Sequence, residues 1–170
     1  HVKDTLPLVI RDIDICRGTF NYCFGMTDVA MASLGLFERT EKKKYRQCAQ
    51  KYMKLVQKSS NNGVPLAKPL SALINAEWKA VMEDEDAKDF YDEAIEELVS
   101  HKFVAYETMA YQRVMHLMIR QISARRARDY LATSLDRHRT WGNRAKVEYL
   151  EGAYSDVMKS VKPAYEVEVT

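Results

Sequence analysis

Glycine and proline are scarce in this sequence, with six and four copies in 170 residues. Alanine, lysine, glutamate, methionine and arginine are plentiful instead, and this mixture favours helix. Long apolar runs are also missing, since none approaches the roughly 20 residues that a membrane-spanning helix needs. The sequence therefore predicts a helical domain without a transmembrane segment, long enough to bury a substantial core.

Cysteine is rare as well. The three copies, Cys16, Cys23 and Cys48, contain no CxxC pair, and an odd number does not fit a disulfide framework. We expect Cys16 and Cys23 to share a helix face as small buried side chains. A reducing compartment suits this pattern best.

Sequence patterns of catalysis and of cofactor or metal binding are missing. The four histidines share no ligand spacing, and no HExxH, Walker, GxGxxG or GxSxG pattern occurs. His138 falls on an apolar helical stripe, which predicts a hydrogen-bonded core histidine more readily than a metal ligand. We expect no catalytic, cofactor, metal or small-molecule site in this chain.

One motif recurs three times: an alanine is followed, three and four residues later, by an aromatic and then an apolar residue. The copies are Ala49, Tyr52 and Met53, then Ala87, Phe90 and Tyr91, then Ala127, Tyr130 and Leu131. They lie 38 and 40 residues apart. A period of this size is typical of stacked helix pairs, and we predict that these nine residues form the packing seam. Such proteins usually present a surface to a partner.

Apolar periodicity predicts about seven antiparallel helices in hairpin order within residues 14–160, the last one acting as a cap. We expect the first helix over about 14–36 and the last over about 144–160, and we expect Pro65 and Pro69 to keep one connection out of helix. Residues 1–13 read as an extended arm. Residues 161–170 read as an extended tail. Within it Ala164–Val169 alternates polar with apolar, so the tail could pair as a strand, lie along a partner or fray.

Charge is unevenly distributed along the chain. Residues 83–97 hold nine acids and one base, whereas residues 102–146 hold ten Lys or Arg and three acids. The candidate docking residues in the basic stretch are Arg120, Arg125, Arg126, Arg128, Arg137, Arg139 and Arg144. They could meet an acidic protein or RNA phosphates. They could equally coat solvated helix faces, or pair with the acidic run across neighbouring hairpins.

The repeat motif resembles the pentatricopeptide repeat. The triplet Thr19-Phe20-Asn21 is similar to one in the first helix of such repeats, and Asn62-Gly63-Val64 is similar to the loop that closes one. The resemblance implies an all-α, right-handed helical-hairpin solenoid, and members of this family bind single-stranded RNA in organelles, one base per repeat. Asn21, Ser71 and Ala110 fall at the implied base-reading positions. Ala110 cannot hydrogen-bond a base, so RNA is the alternative partner.

The whole chain, in its length and order of helices, resembles accessory subunits on the catalytic head of the mitochondrial ATP synthase in trypanosomes and their relatives. That resemblance implies a non-catalytic subunit docked on the outer surface of the alpha subunits, on the matrix side of the inner membrane, in the complex of ATP synthesis and proton transport. A chain that begins at His1 agrees with a cleaved presequence, or equally with a trimmed one. A free adaptor that captures a peptide in a concave groove is a third hypothesis.

Overall fold

The computed structural model describes Leu6, Pro7, Ile10 and residues 21–120 and 124–159. The predicted tail at 161–170, the Thr19-Phe20 pair and Cys16 lie outside these residues. Leu6, Pro7 and Ile10 fall in the predicted extended arm but are helical. The side chain of Leu6 is buried.

Every secondary-structure element in the described ranges from residue 21 onward is an α-helix, so the prediction of an all-α fold is confirmed. The helices are α1 (Asn21–Thr40), α2 (Lys43–Asn61), α3 (Ala67–Val81), α4 (Ala87–Ser100), α5 (Val104–Arg120), α6 (Ala124–Thr140), α7 (Arg144–Ala153) and α8 (Ser155–Lys159). No helix in these ranges is both long and apolar enough to cross a bilayer.

The chain divides into two compact units, His1–Phe103 and Val104–Thr170. In the first unit α1 packs on α2 and α3 packs on α4, and α3 also contacts both α1 and α2. The side chains of Met26, Leu34, Leu70, Leu73 and Leu98 are fully buried there. The two hairpins of this unit therefore share one core.

In the second unit α5 packs on α6, and the short helices α7 and α8 both pack on α6. Met115, Leu131 and Leu150 are its fully buried anchors. The single last helix predicted over 144–160 is divided in the structure, because the backbone leaves helical geometry at Tyr154 (φ −121°, ψ 25°). Gly152, two residues earlier, weakens the helix at this point.

Four helices end in the same way. After α2, α3, α4 and α6, the second residue beyond the helix adopts a positive φ; these residues are Gly63, Glu83, Lys102 and Gly142. The two backbone hydrogen bonds of a Schellman motif close each end, as in Val64 N–H to Ser59 O (3.1 Å) and Gly63 N–H to Ser60 O (3.0 Å). The three hairpin-closing helices α2, α4 and α6 thus share one type of terminus.

The predicted seam is only partly buried. All three alanines, Ala49, Ala87 and Ala127, are fully buried, which lets the paired helix approach closely. Tyr52 is buried, but Phe90 and Tyr130 are half-exposed. In the second and third copies the following residue, Tyr91 or Leu131, is the fully buried one instead.

Three residues that often break helices, one proline and two glycines, lie inside helices. Pro69 was expected in the connection, yet it lies in the first turn of α3, where its missing N–H would have no helical partner anyway. Gly25 and Gly35 both lie within α1, which runs on to Thr40. Burial of apolar side chains such as Leu34 outweighs the low helix propensity of glycine there.

Candidate partner-docking surfaces

The seven arginines that the sequence offers as one docking face fall into two groups. At about 1.5 Å per residue, α6 separates Arg128 from Arg137 by about 14 Å along its axis. The group around the connection from α5 to α6 is called the hairpin-end group and consists of Arg120, Arg125, Arg126 and Arg128. The group around the turn from α6 to α7 is called the turn-end group and consists of Arg137, Arg139 and Arg144. The prediction of seven candidate docking arginines thus resolves into two separate locations.

The hairpin-end group places cations at the start of a helix. Arg125 and Arg126 are exposed in the first turn of α6, which contains no acidic residue. The amino end of a helix carries a partial positive charge, so cations here are electrostatically unfavourable. Helix stability therefore does not explain this pair.

The turn-end group is largely engaged within the fold. Nε of Arg137 lies 2.7 Å from Oε1 of Glu107, whose side chain is buried in α5. Arg139 forms an exposed ion pair with Glu151 of α7. Of this group, Arg144 is exposed at the first residue of α7. Arg137 is consequently a structural residue that compensates a buried carboxylate.

Two aromatic side chains near the turn-end group escaped the sequence reasoning. Trp141 is 53% exposed and Tyr149 is 60% exposed, the largest values among the exposed apolar side chains of the described residues. The sequence does hold a signal for both. Trp141 lies in the turn Trp141-Gly142-Asn143, and Tyr149 lies off the Val147–Leu150 stripe of α7. Packing of the core therefore does not account for an aromatic side chain at either position.

His138 lies directly beneath this surface. It is 5% exposed, and its ring stacks on Trp141 with centroids 6.3 Å apart and planes at 23°. It is buried as predicted, but neither ring nitrogen has a hydrogen-bond partner among the described residues. Burial lowers its pKa, and the nearby Lys146 ammonium lowers it further. The imidazole is therefore uncharged at neutral pH in the folded chain.

Tyr154, which lies between α7 and α8, contacts α5 in the same unit. Its hydroxyl lies 3.1 Å from Nε2 of His116. Burial raises the pKa of this phenol, and Tyr149 raises it further. The hydroxyl accordingly stays protonated and links the end of α7 to α5.

Three glutamates of the acidic run line a groove between α3 and α4. Its volume is ≈ 530 Å³, and it is lined by Lys68, Ala72, Glu93, Glu96, Glu97 and Ser100. Nζ of Lys68 lies 2.6 Å from Oε1 of Glu97, so one of the three carboxylates is neutralised. The groove keeps a surplus of negative charge.

Two of the three positions implied for base reading are not accessible to a nucleotide. Asn21 is exposed at the start of α1. Ser71 is 7% exposed, and its hydroxyl donates a hydrogen bond to Oε1 of Gln57 on α2 (2.8 Å). Ala110 is fully buried. Ser71 and Ala110 therefore cannot reach a nucleotide base in this conformation.

Across the described residues, no group of three or more His, Cys, Asp or Glu side chains is placed to hold a metal ion. Cys23 is buried and free, and burial raises its thiol pKa, which disfavours the reactive thiolate. In comparisons with family models, curated proteins and solved structures, no match to this chain was found.

Proposed function

We propose that this chain is a non-catalytic accessory subunit on the catalytic head of a mitochondrial ATP synthase, docked on the outer surface of the alpha subunits. The resemblance in length and helix order motivates this assignment. The observation that best supports the assignment is the burial of two implied base-reading positions. With Ser71 and Ala110 buried, the repeat scaffold has little means of reading RNA. A helical scaffold that does not read bases retains its surface for protein assembly.

We also propose that the hairpins belong to a right-handed, pentatricopeptide-repeat-like solenoid. In such a solenoid each new hairpin packs its first helix against both helices of the preceding one. The contacts of α3 with α1 and α2 follow that pattern. The recurrence of a positive-φ terminus after α2, α4 and α6 supports the same repeat.

The test is purification of the native complex by size, followed by identification of its subunits. We expect the chain to co-migrate with the alpha and beta subunits of the synthase in the matrix-facing part of the inner-membrane complex. A chain that migrates alone, free of synthase subunits, would reject the proposal.

One observation favours RNA as a second candidate partner. Arg125 and Arg126 occupy a helix start where cations are unfavourable, and a phosphate would compensate them. Binding of RNA through this group predicts an affinity that falls steeply with salt, as counterion release requires. Weak binding that is flat across salt would remove this candidate, and an Arg125→Ala, Arg126→Ala double variant identifies the group responsible.

A further inference from the structure

Trp141 and Tyr149 stand out because they expose large aromatic surface next to a well-ordered turn. Lys146 lies between them in the sequence, and its Nζ lies 5.1 Å from the centroid of the Tyr149 ring. We refer to Trp141, Lys146 and Tyr149 as the aromatic patch. His138 lies beneath it and stacks on Trp141.

The backbone under the aromatic patch is fixed at several points. Gly142 has φ 80°, and the N–H of Asn143 donates to the carbonyl of His138 (2.9 Å), which closes α6. The side chain of Asn143 accepts from the backbone N–H of Lys146 and caps α7. Because the turn is already ordered, a partner that binds here loses little conformational entropy in ordering it.

The chemistry of the aromatic patch matches a protein interface. Trp and Tyr are enriched among interface residues that carry most of the binding energy. Lys146 has no carboxylate partner among the described residues, although its ammonium lies over an aromatic ring. A partner that presents an apolar side chain to the rings and a carboxylate to Lys146 would satisfy both features.

RNA fits this surface less well than protein. A single strand needs several cations along its backbone, whereas the aromatic patch holds Lys146 and has the exposed Arg144 beside it at the first residue of α7. The neighbouring Arg139 is already paired with Glu151. A partner with one or two carboxylates among apolar residues matches this charge better than a polyphosphate chain.

We propose that the aromatic patch is the docking surface for an acidic, partly apolar segment of the protein on which this chain assembles. The proposal rests on the accessory-subunit function, and it names the docking face of that subunit. It places the essential contacts in the turn between α6 and α7 and in α7 itself.

The experiment measures binding of the full-length chain to the purified catalytic head of the mitochondrial ATP synthase. Trp141→Ala, Tyr149→Ala and Lys146→Glu are compared with Val99→Ala, a control that removes an exposed apolar side chain of α4. We expect each of the first three to weaken binding at least tenfold, as loss of a binding hot spot does. The control should change it less than twofold. Circular dichroism and thermal melts establish that every variant is folded.

If the wild type binds the head and the three variants bind equally well, the aromatic patch is not the docking surface, while the accessory-subunit function stands. If the wild type does not bind the head, the accessory-subunit function is rejected. Hydroxyl-radical footprinting then tests separately whether the aromatic patch is a docking surface. Trp141 and Tyr149 are then compared between the purified chain and its large assemblies in a native mitochondrial extract, with the half-buried Trp78 as internal reference.

Protection of both side chains in the extract that survives nuclease treatment supports a protein partner. Equal oxidation in both samples overturns the proposal. Protection that nuclease removes assigns the surface to nucleic acid, and protection that appears in the purified chain at high concentration assigns it to a second copy. Increased oxidation of the purified chain after deletion of residues 161–170 assigns it to the chain's own tail. Each of these three results also overturns the proposal.

Discussion

Two buried glutamates, Glu77 and Glu107, each meet a polar group on the other helix of their own hairpin. Glu77 in α3 accepts a short hydrogen bond from the hydroxyl of Tyr91 in α4, and Glu107 in α5 meets Arg137 in α6. A buried carboxylate is costly unless it is compensated. These side chains therefore favour one register of each helix pair over others.

Removal of the Tyr91 hydroxyl tests this at a single atom. We expect Tyr91→Phe to lower the free energy of unfolding by about 1–3 kcal/mol, because the buried carboxyl group of Glu77 loses a hydrogen-bond donor. Tyr149→Phe is the matched control, since Tyr149 is 60% exposed, and it should change stability by less than about 0.5 kcal/mol. Urea denaturation compares the two, and equal effects would contradict the role given to Tyr91.

His138 makes stability dependent on pH. Burial and Lys146 lower its pKa in the folded state, so the unfolded chain takes up the proton first as pH falls. The resulting loss of stability begins near the ordinary histidine value of about 6.5 and continues down to the lowered folded pKa. Above that window the neutral ring carries no such penalty.

We therefore expect the difference in unfolding free energy between the wild type and His138→Phe to change with pH. The wild type should lose stability relative to the variant between pH 8 and pH 5, measured by denaturant titration at each pH. A difference that stays constant over this range would show that His138 does not titrate differently on folding.

At the scale of elements, helix ends and the packing seam organise the hairpins. Gly63 and Gly142 occupy positive-φ positions at no steric cost, whereas Glu83 (φ 58°) and Lys102 (φ 58°) hold the same conformation with a side chain. An L residue there is strained by roughly 1–2 kcal/mol, which partly offsets the gain from closing the helix.

Substitutions at Glu83 and at Gly142 should change the stability of the chain in opposite directions. We expect Glu83→Gly to stabilise the chain by a few tenths to about 1 kcal/mol, since relief of strain exceeds the added chain entropy. Gly142→Ala should destabilise it by about 1 kcal/mol through the backbone alone, because a Cβ at this position meets no atom within 4 Å. Thermal melts that move in the same direction for both variants would contradict this account.

The seam residues should differ in importance according to their burial. We expect Tyr52→Ala to cost about 3–5 kcal/mol, because a buried ring leaves a cavity. Phe90→Ala should cost clearly less, since the Phe90 ring is half-exposed and lies against the ammonium of Lys79. Denaturant midpoints that are equal for the two variants would show that burial does not rank the repeated aromatics.

Periodicity predicts the helices well because each apolar stripe is a local property of the sequence. The fully buried alanines Ala49, Ala87 and Ala127 are visible in the repeat. Which of the next two residues is buried depends on the rotation of each helix against its partner, and the repeat cannot specify that rotation. The sequence-based prediction therefore assigns all nine residues to the seam alike, although Phe90 and Tyr130 are half-exposed and Tyr91 and Leu131 are fully buried.

The candidate site was less predictable for the same reason. Seven arginines are close in sequence, but α6 is long enough to divide them. The pairing of Arg137 with Glu107 depends on the antiparallel packing of α5 and α6. Trp141 and Tyr149 belong to no motif, and their sequence signals, a turn and a position off the apolar stripe, become informative only beside their exposure in the fold.

At the scale of the whole molecule, the two units carry surfaces of different character. The first holds the acidic groove between α3 and α4, and the second holds the exposed arginines and the aromatic patch. The net charge is only +2, so neither sign dominates the chain as a whole. We infer that recognition depends on local surfaces and that the scaffold serves assembly.

The most direct test of this account is the composition of the native complex that contains the chain. Purification by size from mitochondria, followed by mass spectrometry, should find the chain in fixed ratio with the alpha and beta subunits of the ATP synthase head, and that ratio should persist after nuclease treatment. A chain that elutes alone, or with RNA and without synthase subunits, would contradict the account.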